Sequence, residues 1–217
     1  ENDMPNWCKN TMLVTGEKEQ LEKFIEKMKT KESDFDFNSV IPMPETLSVE
    51  SSSTAKTAYA VYYGDRYQKQ SALGVNNDQD FDQKFKEYDK NPEHRQLAET
   101  YHFNKNNYGF TTWYEWCSEI WGTKWNASDV SKGQLIQVGK SNIYQVDYFF
   151  ETAWSFPQGI YEKLSQDYPE LVFSIDVDEE GGFFWGNIII KDGQVIESLQ
   201  EGTRPGGPYD YGDEDEE

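Results

Sequence analysis

A chain of 217 residues with 36% hydrophobic and 16% aromatic residues is long enough for one sizeable domain, and aromatics that bury about 150–250 Å² each can supply a core that the aliphatics alone would not. Forty acidic residues against twenty basic ones give a formal net charge of -20, which disfavours direct contact with nucleic-acid phosphates or an anionic membrane and favours basic partners; a merely well-solvated acidic surface is the plainer reading of the same charge. No apolar run reaches the roughly 18–20 residues of a membrane span, no secretory leader is visible, and two cysteines make no disulfide framework, so a reduced, cytoplasmic protein is expected.

Met4-Pro5 reads as a natural start, with the three residues before it an expression remnant. "WCKNTMLV", Trp7 to Val14, reads as a strand with Cys8, Asn10, Met12 and Val14 on one face. Leu21, Phe24, Ile25 and Met28 then recur at i, i+3, i+4 and i+7, the stripe of an amphipathic helix. "DFDFNSVIPMP" alternates acid and aromatic and reads as a second strand ending near Ile41. Residues from 45 to about 120 read as a helical insertion, with Phe81, Phe85 and Tyr88 on one stripe and Leu97 and Tyr101 on another.

Within "YEWCSEIWGTKWNAS", Trp113, Cys117, Ile120 and Trp121 fall at helical spacing toward a core, while Tyr114 and Trp116 lie off that stripe. Gly122 stops the helix, the common work of a glycine at C′. "NIYQVDYFFETAW" is a strand with Tyr144, Val146, Tyr148 and Phe150 on one face, and "QGIYEKLSQDYP" a short helix. "LVFSIDV" and "FFWGNIIIK-DG-QVIES" complete the strands, the last two joined at Asp192-Gly193 by a two-residue turn. The order β-α-β, insertion, β-α-β-β specifies an α+β fold: a ferredoxin-like antiparallel sheet with helices on one face, a helical insertion and an extended C-terminal hairpin. Residues 4–201 are read as one such domain and 202–217 as a flexible acidic tail.

Five short motifs occur in order: "MPNWCKN" at 4–10, "IPMPETL" at 41–47, "WGTKW" at 121–125, "TAWSFP" at 152–157 and "EEGGFFWG" at 179–186. Together they resemble the YubB/Api92-like family of ferredoxin-like proteins carried by phages, prophages and plasmids. Phe156 stands where the family pattern has the first of two prolines. The resemblance implies this fold and a mobile-element setting in a bacterial host cell; it implies no catalytic residue.

Cys117 has Glu115 and Glu119 for neighbours, which would oppose a thiolate, so both cysteines read as structural. Zinc lacks its ligand spacing, and "DVDEEGG" at 176–182 opens like a calcium loop but lacks the closing glutamate, so neither metal nor cofactor is expected. Trp7, Trp121, Trp125 and Trp154, with Lys124 among them, are either core or the lining of an aromatic pocket, with Glu151 or Glu180 as ion-pair partners for Lys124. The acids Asp176, Asp178, Glu179 and Glu180, and Asp210, Asp213, Glu214, Asp215, Glu216 and Glu217 of the tail, are candidate contacts for a basic partner. The leading functional reading is a non-enzymatic interaction protein that mimics nucleic-acid charge to engage a basic host protein, plausibly a nucleic-acid-binding component of defence. The alternative is a small-ligand or enzymatic site in a Trp-rich cleft beside the sheet.

Overall fold

The computed structural model describes residues 5–207. In chain order its elements are β1 (Trp7–Glu17), α1 (Lys18–Met28), α2 (Ser53–Tyr63), α3 (Arg66–Leu73), α4 (Asp78–Tyr88), α5 (Pro92–Tyr108) and α6 (Trp113–Trp116). They continue as β2 (Ser128–Lys132), β3 (Ile136–Gln137), β4 (Ile143–Ala153), α7 (Gln158–Asp167), β5 (Val172–Glu179), β6 (Phe184–Lys191) and β7 (Gln194–Glu201). Contacts divide the chain into two compact units, one of Glu1–Pro42 with Cys117–Glu217 and one of Met43–Trp116.

The first unit is built on a seven-stranded sheet in the order β2-β4-β1-β5-β6-β7, with the short β3 also on β4. Every pairing is antiparallel. β1 and α1 lead eventually to β2, and β4 lies between those two strands. β4, α7 and β5 bracket β1 in the same way. Two interleaved split βαβ units of this kind make the sheet ferredoxin-like, and β6–β7 extends it. Asp192 (φ 52°) and Gly193 (φ 72°) both take the left-handed conformation that a tight hairpin demands.

Alternation along the strands decides which side the helices cover. Cys8, Asn10, Met12 and Val14 of β1 are buried, as are Val146, Tyr148 and Phe150 of β4 and Phe173, Ile175 and Val177 of β5. Leu21, Phe24 and Met28 of α1 and Ile160, Tyr161 and Leu164 of α7 are buried as well. Phe24 presents its edge to Tyr148, Tyr168 and Phe173, with ring centroids 6.0, 5.2 and 5.5 Å apart. Such contacts add roughly 0.5–1.5 kcal/mol each beyond the area they bury. The opposite face of the sheet carries Lys9, Thr11 and Leu13, Asp147 and Glu151, and Asp176 and Asp178, all half-buried or exposed.

Three expectations need correction. "DFDFNSVIPMP" is not a strand. It forms a 3₁₀ turn at Phe37–Ser39, because the Asp36 side chain accepts from the Asn38 amide and Asn126 Oδ1 takes the Phe37 amide, leaving no ladder for a strand to join. Its alternation instead sends Phe35 and Phe37 into the core, against Phe150. The edge strands β2 and β3 occupy residues to which the sequence pattern assigns no element. Finally, the helical spacing around Cys117 is broken: α6 passes into a π-helical turn at Cys117–Trp121. The wider turn shifts the phase: Trp116, Cys117 and Trp121 are each buried, while Trp113 is only half-buried. Gly122, at φ 84°, then ends the turn as expected; a side chain there would also crowd the Gln158 amide.

The Met43–Trp116 unit is helical. Tyr101 donates to the Glu50 carbonyl, and Asn104 donates to those of Thr46 and Thr111. Gly109 caps α5 in the left-handed conformation. Among the described residues no helix is long and apolar enough to cross a membrane.

Candidate functional site

Four of the five motifs converge in space, at the end of the sheet where β1 begins and β4 ends. The Trp7 amide donates to Glu180 Oε1 (2.8 Å), and the Glu180 amide donates back to the Trp7 carbonyl (3.0 Å). The Trp154 amide donates to the Asn6 carbonyl at 2.8 Å. Thr123 Oγ1 donates to the Ala153 carbonyl, and Ser155 Oγ to that of Gly122. "PNW", "WGTKW", "TAWS" and "EEGG" are therefore one stitched junction, distant in sequence and adjacent in the fold.

Aromatic faces and one cation fill the junction. Trp7 and Trp125 have centroids 5.9 Å apart. Lys124 Nζ lies 4.6 Å from the Trp125 ring and 4.4 Å from the Trp154 ring, so both indoles are engaged by the chain's own ammonium. Trp154 is held at φ 68° and Asp129 at φ 47°, conformations that cost a non-glycine residue about 1–3 kcal/mol and persist only where the surroundings fix them. The spacing of the motifs brought Trp7, Lys124, Trp125 and Trp154 under suspicion together, and the structure gathers them. It places Trp121 elsewhere, buried in the core, with Nε1 donating to the Ile41 carbonyl and its ring at the edge of Phe37.

Carboxylates surround this end of the sheet. Burial, followed by the charge of Asp129, raises the Glu151 carboxyl above its ordinary value, with Lys9 pulling the other way. Lys9 pairs with Glu151 on one side and with Asp178 on the other in the strand register.

The "DVDEE" run does not act as one array. Strand alternation points Asp176 and Asp178 to the open face and Glu179 to the covered one, where it is 1% exposed and accepts from the Phe183 amide. Glu180 is occupied with Trp7. Asp210, Asp213, Glu214, Asp215, Glu216 and Glu217 lie outside the described residues. Residues 202–207, read from sequence as the start of the tail, are tied to the sheet. Arg204 donates from its two terminal nitrogens to the two carboxylate oxygens of Asp176, each at 2.7 Å, and its guanidinium lies 5.3 Å from the Trp185 ring. Nothing in the composition pointed to Arg204; the signal was its position as the lone base in an acidic stretch.

Neither cysteine is in a disulfide; both are buried, and burial pushes each thiol up to about 12. No cluster of three or more metal-ligating side chains occurs among the described residues.

These features define an α+β sheet domain of split βαβ type with an acidic open face. Residues 120–206 match the family described as a ferredoxin-like domain in Api92-like protein, a span that holds three of the five motifs. The chain is also similar to the crystal structure of a protein api92 from Yersinia pseudotuberculosis, at 11% identity and a TM-score of 0.45, over 94% of this chain and 99% of that one. No curated protein matches.

Proposed function

We propose that this Api92-like protein is a non-enzymatic interaction protein that binds a basic partner through its acidic sheet unit. The distribution of charge carries the reading. Met43–Trp116 holds 11 acids and 8 bases, so 29 acids and 12 bases, a net -17, belong to the rest of the chain. On the open face of the sheet, Asp147 and Glu151 of β4 and Asp176 and Asp178 of β5 flank β1, whose Lys9 lies between Glu151 and Asp178. A field of one sign steers an oppositely charged partner and makes binding sensitive to salt. The setting implied by the motifs is a phage or other mobile element, and the partner this charge fits is a nucleic-acid-binding host protein, whose phosphate site a carboxylate surface can occupy; an anti-defence role follows from that pairing. The cytoplasm of the host cell is where it would act. The alternative, a ligand site in the Trp-rich cleft, is less well supported because Lys124 already covers the indoles of Trp125 and Trp154.

The test is capture from bacterial lysate on the full chain, eluting in parallel with rising salt and with excess double-stranded DNA. The expected result is a basic, nucleic-acid-binding protein released by both. Capture that resists both salt and DNA would overturn charge mimicry.

A further inference from the structure

The acidic reading names a charge but no contact; the Arg204 clasp supplies one. Asp176 and Asp178 are alternate residues of β5 and project on the same face, with Trp185 of β6 opposite Asp178. The forked pair to Asp176, the contact of 3.3 Å to the Val177 carbonyl and the indole face make a seat shaped for a planar guanidinium. A cavity of about 370 Å³ adjoins it, lined by Asp176, Trp185, Asn187, Ser198, Gln200 and Pro205.

Arg204 does not use the seat fully. Its Nε is buried without a hydrogen bond among the described residues, 3.7 Å from Asp178 Oδ2. It arrives on a segment that belongs to no helix or strand, between Gly202 and Gly206, both left-handed. Withdrawing it breaks no ladder. An arginine from outside could enter through the adjoining cavity, whereas a lysine offers a single ammonium that cannot fork.

Resting on the acidic-partner reading above, we infer that Asp176, Asp178 and Trp185 form a guanidinium-binding site, occupied by the chain's own Arg204 until an arginine of a basic partner replaces it. The partner is thereby recognised as arginine-bearing and not merely as basic.

Calorimetric titration of the full chain with a (Gly-Arg)5 peptide and a (Gly-Lys)5 peptide tests this. Arg204→Ala should tighten binding of the arginine peptide by about tenfold, the range of one charge-assisted hydrogen bond, and of the lysine peptide far less. Adding Asp176→Asn should abolish the gain. Arg204→Lys, which keeps the charge and loses the fork, should give a smaller gain with the same preference, and it serves if the alanine variant melts early. Equal gains for both peptides, no gain in either variant, or a gain that survives Asp176→Asn would overturn the site. Wild-type binding of both peptides that salt abolishes, with no response at Arg204, would sink this site alone; salt-insensitive or absent binding of both would sink the acidic-partner reading itself.

Discussion

Tyr161→Phe removes one oxygen from the covered side of the sheet, and the structure says what that oxygen does. Tyr161 is fully buried, and burial drives its hydroxyl well above the ordinary phenol range, so it remains a donor at any working pH. It donates to Asn10 Oδ1 at 2.7 Å; Asn10 Nδ2 in turn donates to the Cys8 carbonyl (2.9 Å) and to Thr152 Oγ1 (3.0 Å). The chain of bonds ties α7 to both central strands. Deleting the hydroxyl leaves a buried amide oxygen without its donor, at a cost of about 1–3 kcal/mol. For a chain of this size about 2 kcal/mol lowers Tm by roughly 4–8 °C. Asn10→Ala should cost more, since it strands the Tyr161 hydroxyl and also removes a donor from Thr152, which keeps only its bond to the Cys8 carbonyl. The double variant should be less destabilised than the sum of the singles by about 1 kcal/mol or more, because removing both partners spares the orphaned group. Urea unfolding followed by tryptophan fluorescence, with calorimetry to separate the two units, measures these differences. A Tyr161→Phe midpoint equal to wild type, or strictly additive singles, would refute the network.

Three further outcomes follow from the site. Lys124→Met takes away an ammonium shared by two indoles and should cost about 1–2 kcal/mol while changing the tryptophan emission; an unchanged melt and spectrum would show that the cation does not hold the junction. Cys8 and Cys117, both pushed up to about 12 by burial, should resist iodoacetamide at pH 8 in the folded chain and react quickly in urea, and rapid native labelling by mass spectrometry would contradict their burial. Glu151 binds its proton more tightly in the folded chain than at its ordinary 4.5, through burial first and then Asp129. Its contribution to stability is therefore present at low pH and is lost as pH rises from about 4.5 through the raised value. Glu151→Gln should flatten that part of the pH–stability profile, and coincident profiles would remove Glu151 as the cause.

The fold was legible wherever one period held over a whole element. β1 alternates through its eleven residues and β4 from Gln145 to Thr152, and a one-residue slip would turn Cys8, Met12 and Val14 outward, so their pattern admits one register. Period failed where side-chain hydrogen bonds replaced the ladder. Phe35 and Phe37 alternate as strand residues do, yet Asp36 and Asn126 consume the amides around them. It failed again at Cys117–Trp121, because a π turn inserts a phase shift that no 3.6-residue count anticipates. β2, with its register shift between Ser128 and Ser131, is too short and irregular to carry an alternation of its own.

The candidate site shows a different limit. An acidic run looks like a single charged surface, but a strand deals its residues to two sides in turn. Asp176 and Asp178 face outward, whereas Glu179 is spent on a buried amide and Glu180 on the first residue of β1. Conversely, the tryptophans were visible as a group only because their motifs could be compared in order; the hydrogen bonds that join Asn6 to Trp154 and Gly122 to Ser155 run through backbone carbonyls, which composition does not register. The least visible residue is the one on which the proposed guanidinium site turns. Arg204 is a single base at the edge of an acidic tail, and its meaning lies in a geometry: two carboxylate oxygens of one aspartate, at 2.7 Å each, waiting on the open face of the sheet for a fork of that shape. If the seat selects guanidinium, charge brings the partner near and Asp176 decides whether it stays.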